Sequence, residues 1–424
     1  MQPATLALHR HTLDNGLRVV IHPDNRLPLV AVNLWYHTGS KNEKPGKTGF
    51  AHLFEHMLFQ GSAHVGANDH FRYVQQVGGV ANGSTWYDRT NYFETLPADS
   101  LDLALWLESD RMGFLLPAMT SAKLENQRKV VMNERRQQVD NQPYGFASER
   151  LSELLFPDGH PYHWPVIGYM QDIEAATLDD VQEFFSTYYV PNNAVLSLVG
   201  DLDPDQALDL VADYFEEIPT GGAIPPVEES TDFVTDDPLE ILNDDVQLPR
   251  SYVSFRLPPF GDRDWYAADL LATVLAHGKA SLLYRDLVYE REIAHSIGAH
   301  VLPTEELGSF QVIGTAKPGV EPERLETEIL LHLDRIADRG PTEEDVKRAK
   351  NRILLSYFAE LQTVGRKADL LSMFTTYFDS PERLSEEPQI YDELESSDLQ
   401  AIARRWLCPE QRARVRVVPR DRSS

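Results

Sequence analysis

The chain has 424 residues, of which 42% are hydrophobic and 25% are charged, as in ordinary soluble globular proteins. Its formal net charge of −27 at pH 7 argues against nucleic-acid binding, which requires a basic surface. No stretch approaches the roughly 18 consecutive apolar residues that would suggest a membrane span. The acidic charge indicates either a solvated surface or an acidic cavity that attracts basic peptides, and the sequence leaves both interpretations open.

The amino terminus and the cysteine content bear on location. The first 11 residues lack the basic start and the apolar run of a secretory signal peptide. Cys408 is the only cysteine, so no disulfide can form within the chain. These features favour the cytoplasm, and a periplasmic location would require that a signal peptide has been removed.

The first element that carries chemistry is a helix predicted over residues 49–60, which contains His52, Glu55 and His56. Histidines four apart share one face of a helix and can bind one metal ion together. Glu55 lies beside them, where a carboxylate can take a proton from a metal-bound water. The alternative is a pair of core histidines bonded to backbone carbonyls. Three polar groups in one apolar helix favour the metal, because it satisfies them together.

A catalytic zinc usually has three protein ligands, so one is missing from this helix. The best source is a long helix predicted over residues 121–141, in which Glu134 follows an apolar run and faces the core. The alternative for Glu134 is an ion pair with Arg128, Arg135 or Arg136 on a solvated helix.

The chain is predicted to contain two related domains. Residues 219–238 are rich in proline, glycine and acidic residues and are typical of a linker. Around them we predict an N-terminal zinc-binding catalytic domain (1–220), a linker (221–238) and a homologous C-terminal domain (239–424). Asp180 and Pro191 recur 218 positions later as Asp398 and Pro409, each pair within a helix–turn–strand unit. The alternative is chance similarity between two common units.

The second copy is predicted to bind no metal. Shifted by 217 positions, the metal-helix residues fall on Asp269, Ala272 and Thr273. This domain is then expected to act as a wall, a lid or a dimer surface.

His52-x-x-Glu55-His56, followed 78 residues later by Glu134, resembles the inverted zinc motif of the pitrilysin family of peptidases (M16). The closer resemblance is to the bacterial M16B-like subgroup, related to the beta subunit of mitochondrial processing peptidase. Further matches are Gly16-Leu17-Arg18-Val19-Val20, Gly39-Ser40-Lys41-Asn42-Glu43, Gly78-Gly79, Asn141-Gln142-Pro143-Tyr144-Gly145 and Pro191-Asn192-Asn193. The resemblance covers essentially the whole chain.

The resemblance implies an α+β fold of two homologous α/β domains, each an antiparallel-rich sheet with packed helices, together forming half of a clam-shell chamber. It implies one Zn²⁺ per chain, with His52, His56 and Glu134 as ligands and Glu55 as general base. It further implies that the Ala81-Asn82-Gly83 strand offers its edge to an extended peptide. The alternative for Asn82 is a turn asparagine before a glycine.

Two departures from the family pattern affect the expected activity. Gln127 occupies the position of a second glutamate, where it could hydrogen-bond a ligand or the metal-bound water. An Arg/Tyr pair that completes family active sites falls here on Val288 and His295. Valine cannot donate a hydrogen bond, and histidine replaces the phenol.

The expected protein is therefore a zinc-dependent endopeptidase subunit that hydrolyses short or unfolded peptides in a chamber formed with a second, homologous subunit. That partner would supply the Arg/Tyr pair. The alternatives are a self-sufficient homodimer, in which His295 serves as an imperfect substitute, and a non-catalytic assembly subunit of the same family.

Overall fold

The computed structural model of the chain describes residues 6–228, 230–233 and 235–420. Residues 1–5, on which part of the signal-peptide prediction rests, lie outside this range. The chain folds into two compact units, and each contains one mixed β-sheet with helices packed on it. Among the described residues, no helix combines the length and apolarity that crossing a bilayer would require.

The first unit is built around a six-stranded sheet in the order β1-β2-β6-β3-β5-β4. Only β2 and β6 pair in parallel, and every other neighbouring pair is antiparallel. β4 lies at one edge of this sheet. The strands are β1 (His9–Thr12), β2 (Arg18–Pro23), β3 (Leu29–Tyr36), β4 (Val80–Thr85), β5 (Thr90–Pro97) and β6 (Ala194–Gly200).

Helices cover both faces of this sheet at its centre. β3 is an almost continuous apolar run and is buried along nearly its whole length, because a helix packs on each of its faces. The helices of this unit are α1 (Phe50–Met57), α2 (Asp69–Gln76), α3 (Leu101–Phe114), α4 (Ser121–Arg135), α6 (Met170–Ala175), α7 (Leu178–Tyr188), α8 (Pro204–Phe215) and α12 (Val364–Phe378).

The second unit contains a five-stranded sheet in the order β7-β11-β8-β10-β9. Its strands are β7 (Leu239–Asp244), β8 (Arg250–Leu257), β9 (Ala294–Leu302), β10 (Gly308–Ala316) and β11 (Arg412–Pro419). Its helices are α5 (Ala147–Leu155), α9 (Arg263–Ala276), α10 (Pro322–Arg339) and α14 (Ser396–Trp406). Two further helices have residues in both units, α11 (Glu343–Glu360) and α13 (Arg383–Asp392).

The two sheets share one topology, which confirms the predicted fold of two homologous α/β domains. Without β1, the first sheet reads β2-β6-β3-β5-β4, and the second repeats both this order and the single parallel pair.

The two copies also share a residue that caps a helix. The N-terminal threonines of α4 and α11, Thr120 and Thr342, each accept a hydrogen bond from the backbone N–H three residues on.

The two units are not the contiguous halves that the sequence predicted. The chain does pass between them inside the predicted linker, and the described residues of 219–238 form no helix or strand. However, residues 136–163 belong to the second unit and residues 358–386 to the first. The reason is packing: α5 buries its apolar side against β8 and β11, whereas α12 packs on β3 and β6.

Candidate metal centre

The start of α1 is fixed by glycines and by a buried carboxylate. Gly49 has a φ of 84°, and a Cβ on Gly168 would lie 2.4 Å from the Gly49 Cα, so both positions require glycine. Glu43 accepts hydrogen bonds from the backbone N–H groups of Gly49 (2.9 Å) and Ala51 (2.8 Å). A carboxylate at this position accepts hydrogen bonds from N–H groups that have no partner within the helix. It also interacts favourably with the positive end of the helix dipole.

α4 is anchored to the same loop. Arg135 directly follows Glu134 in the chain, and its guanidinium donates a hydrogen bond to the carbonyl of Gly168 at 2.8 Å. The α-helical part of this segment ends at Arg135, and a π-helical turn follows over Arg136–Asp140. Because α1 packs against α4 and both contact the Gly168 loop, the positions of the two helices are coupled.

His52, His56 and Glu134, which the sequence predicts as ligands, lie close together in the structure. The Glu134 Oε2 lies 3.2 Å from the Nε2 of His56 and 3.8 Å from the Nε2 of His52. The two imidazole rings are 4.9 Å apart and nearly perpendicular. Their side chains are 13%, 24% and 26% exposed in chain order, so the cluster is partly exposed to solvent.

This donor set fits a zinc ion. All three potential ligand atoms lie within 4.8 Å of one another. Ligands about 2.0–2.2 Å from a tetrahedral zinc lie roughly 3.3–3.6 Å apart, close to the spacing of these atoms. Two imidazoles and one carboxylate also match a common catalytic zinc site, which keeps its fourth position open. The structure thus brings together residues that could hold zinc.

Burial keeps His52 in the form that binds metals. Desolvation and the neighbouring His56 lower the pKa of His52 to about 4, although Glu134 opposes the shift. At neutral pH the imidazole is therefore uncharged, and its Nε2 is available as a ligand.

Glu55 is positioned by a residue that sequence reasoning had not assigned a role. The Thr85 hydroxyl donates a hydrogen bond to the Glu55 Oε2 at 2.7 Å. Burial raises the pKa of Glu55, and this hydrogen bond opposes the shift. Gly83, on the same strand, leaves room for the carboxylate, because a Cβ there would lie 3.1 Å from the Glu55 Cγ. β4 therefore shapes the surroundings of Glu55.

The predicted substrate strand, with Ala81, Asn82 and Gly83, is β4, the edge strand of the first sheet. An edge strand presents backbone groups with which a further strand can pair. The Asn82 Oδ1 accepts a hydrogen bond from the Gly83 N–H at 2.9 Å. A peptide carbonyl that uses this N–H has to displace the asparagine side chain.

The remaining predicted residues lie as follows. Gln127 is buried on α4, two turns before Glu134 and on the same side of the helix. In the second unit, half-buried Val288 lies in the π-helical segment Tyr284–Glu290, and exposed His295 lies on β9. In the second copy, the Asp269 carboxylate accepts a hydrogen bond from the hydroxyl of Tyr391 at 2.8 Å.

A second group of possible ligands, His70, Glu94 and Glu108, is buried in the first unit. The His70 Nε2 lies 2.8 Å from the Glu94 Oε1, and Arg111 bonds Glu108 at 2.8 Å through its Nε. The Arg111 guanidinium also lies 4.0 Å from the centre of the Tyr92 ring. Because the Arg111 guanidinium already pairs with Glu108 and lies 3.6 Å from Glu94, we interpret this group as a structural charge network.

Comparison with known proteins identifies the family of the chain. The model of the family described as insulinase (peptidase family M16) matches residues 18–160, and that of the peptidase M16 inactive domain matches residues 175–353. The zinc protease PqqE of Helicobacter pylori is 30% identical over 419 residues, covering 96% of this chain and 92% of that protein. The chain belongs to peptidase family M16.

Solved structures show the same fold. The crystal structure of a protease from Helicobacter pylori superimposes with a TM-score of 0.92 at 29% identity, covering 99% of this chain and all of that one. The periplasmic protease PqqL from Escherichia coli gives a TM-score of 0.76 at 20% identity, covering 99% of this chain but only 48% of that one. The fold of this chain thus corresponds to about half of the latter protein.

Proposed function

We propose that this protein is a zinc-dependent endopeptidase subunit, in which His52, His56 and Glu134 hold one zinc ion and Glu55 is the general base. The observation that carries the proposal is the convergence of two histidines on α1 with Glu134 on α4, beside the Glu55 carboxylate and next to an edge strand. Membership of peptidase family M16 and a relative named as a zinc protease support both the metal and the reaction.

The chemistry follows from the positions of these groups. Zinc, when bound, supplies Lewis acidity that polarises the scissile carbonyl and lowers the pKa of the attacking water. Glu55 takes a proton from that water and gives it to the leaving amine nitrogen as the peptide C–N bond breaks. Thr85 orients Glu55 through its hydrogen bond.

The substrate is proposed to be a short or unfolded peptide that binds in extended form along β4. Backbone hydrogen bonds to a strand edge supply affinity that depends little on sequence. Asn82 would then exchange its bond to the Gly83 N–H for a contact with the peptide backbone. Gln127, two turns before Glu134, would support a ligand or the water by hydrogen bonding.

Gly83→Ala should lower kcat by up to about 10-fold, because its methyl group displaces Glu55 by a few tenths of an ångström, whereas a displacement of catalytic groups by about 1 Å can cost about 100-fold. The added methyl group would lie 3.1 Å from the Glu55 Cγ and 3.2 Å from the Tyr92 ring. Steady-state kinetics with a quenched fluorescent peptide, with the partner subunit present if cleavage requires it, measure the change. Gly298→Ala on β9 is the matched control, because its added methyl group would meet nothing within 4 Å. Equal effects of the two variants would contradict this role of Gly83.

A partner subunit is proposed to complete the active site, because Val288 and His295 replace the Arg/Tyr pair of the family. The chain corresponds to about half of a longer protein of the same fold, so a two-chain assembly could provide the missing half. The runner-up is a homodimer that uses His295.

Cleavage of a long quenched fluorescent peptide by the purified chain, with and without a chelator, separates these assemblies. Bound zinc without cleavage is the expected result, with cleavage appearing when a homologous subunit carrying the Arg/Tyr pair is added. Chelator-sensitive cleavage by the chain alone would contradict the heterodimer and favour the homodimer. A chain that binds neither zinc nor peptide would contradict the enzyme altogether.

A further inference from the structure

The first unit contains a large cavity on the face of the sheet that α12 covers. Its volume is about 860 Å³, and its lining comes from β3, β4 and β5 and from the start of α12. This volume is within the range of roughly 300–1,000 Å³ typical of ligand pockets. Its surface is mainly apolar and includes Leu27, Val80, Phe93 and Val364. Leu27 and Val80 are 57% and 68% exposed, which makes them an open apolar rim.

β4 connects this cavity to the candidate metal centre. Side chains alternate between the two faces of a strand. Gly83 and Thr85 face α1, since they approach or bond Glu55. Val80 and Ser84, of the opposite parity, line the cavity. The same strand therefore borders the metal centre on one face and the cavity on the other.

We propose that this cavity is a specificity pocket that receives a large apolar side chain of the bound peptide. The inference rests on the proposed function, in which the peptide extends along the edge of β4. A strand added there continues the sheet, so its side chains also alternate between the two faces. Every second side chain then lies on the face of the sheet that holds the cavity, and the side chains between them lie on the face towards α1.

The charges around the cavity favour an apolar occupant over an acidic one. Arg26 is paired with Asp24 at 2.7 Å, and Arg366 is paired with Glu360 at 2.8 Å. The remaining arginine of the lining, Arg89, donates hydrogen bonds to the carbonyl of Ser84 at 2.8 Å and to neighbouring side chains. Because these guanidinium groups already have acceptors, the apolar surface is what remains to recognise a side chain.

The first test measures peptide binding without cleavage, using zinc-loaded Glu55→Gln protein and fluorescein-labelled peptides in which each position is in turn Leu, Ala or Asp. Fluorescence anisotropy should give an affinity at least tenfold higher for Leu than for Ala at one position, and no such preference at either adjacent position. A preference for Asp, a preference at adjacent positions, or no preference at all would overturn the pocket. Cleavage by the wild-type protein together with a homologous subunit carrying the Arg/Tyr pair is scored separately, so binding with this pattern but without turnover in that assembly would contradict only the proposed function.

The second test changes the cavity itself. Val364→Trp should occupy part of the cavity and reduce the Leu-over-Ala preference at least tenfold, while the affinity for the Ala peptide changes less than threefold. Leu27→Asp, at an exposed position that tolerates a charge, should have the same effect if the tryptophan variant does not fold. Leu355→Asp is the matched control, since Leu355 is 72% exposed on α11, outside the cavity. An unchanged preference in the cavity variants would exclude the proposal.

Discussion

Replacing Glu55 by glutamine is expected to lower kcat by about 10²- to 10⁴-fold, the usual contribution of general acid–base catalysis. Glutamine has nearly the same shape as glutamate and can still bond Thr85, but it cannot accept a proton from water. The zinc content should not change, since Glu55 is not one of the three converging ligands. Peptide cleavage and metal analysis on the same sample, with the partner subunit present if cleavage requires it, measure both quantities.

Glu125→Gln provides the control for this variant. Glu125 lies on α4, as Glu134 does, but it is 47% exposed and pairs with Arg128 and Lys129 at the surface. Its replacement should alter neither turnover nor zinc content. If the Glu55 variant kept substantial activity, the assignment of Glu55 as the general base would be wrong.

The second large effect concerns stability. Arg111→Leu should lower the free energy of unfolding by about 3–5 kcal/mol, because removing one member of a buried ion pair leaves a charge without compensation. Arg111 bonds Glu108 at 2.8 Å and lies 3.6 Å from Glu94, and all three residues are buried. Chemical denaturation followed by circular dichroism measures the loss.

The effect of Arg111→Leu should also depend on pH. Burial raises the pKa of Glu94 and Glu108, and Arg111 opposes this shift, so its removal should raise both pKa values further. The folded variant then binds more protons than the unfolded chain, and its stability rises as the pH falls. The difference from the wild type should therefore shrink at lower pH.

An exposed pair supplies the comparison for Arg111. Arg72 pairs with Asp69 at 2.9 Å, and both side chains are at least one-third exposed. Arg72→Leu should change the stability little, because solvent screens such a pair. If Arg111→Leu lowered the free energy of unfolding as little as Arg72→Leu does, the buried network would contribute little to folding.

The metal helix could be predicted from sequence because its signals are local. The apolar pattern and the i, i+4 spacing of His52 and His56 lie within three helical turns. The helix spans Phe50–Met57 rather than residues 49–60, and it begins after Gly49 because that residue adopts a left-handed conformation as the N-cap. Glu134 is on a separate helix. Its pattern made it the best candidate for the third ligand, but it left open an ion pair with neighbouring arginines, and the family resemblance favoured the metal.

The surroundings of Glu55 and the cavity could not be derived from sequence. The contact between Thr85 and Glu55 joins residues 30 positions apart and depends on how β4 pairs with β5. The placement of α12 shows the same limit. Its apolar residues predict burial, but they do not specify whether the helix packs on the first sheet or on the second.

Zinc stoichiometry measured on the purified wild-type chain and on Glu134→Gln tests the central claim most directly. Inductively coupled plasma mass spectrometry should find one zinc ion per wild-type chain and a large loss in the variant, with the fold of the variant checked by circular dichroism. One zinc ion in both proteins, or none in the wild type after incubation with zinc, would contradict a site formed by His52, His56 and Glu134.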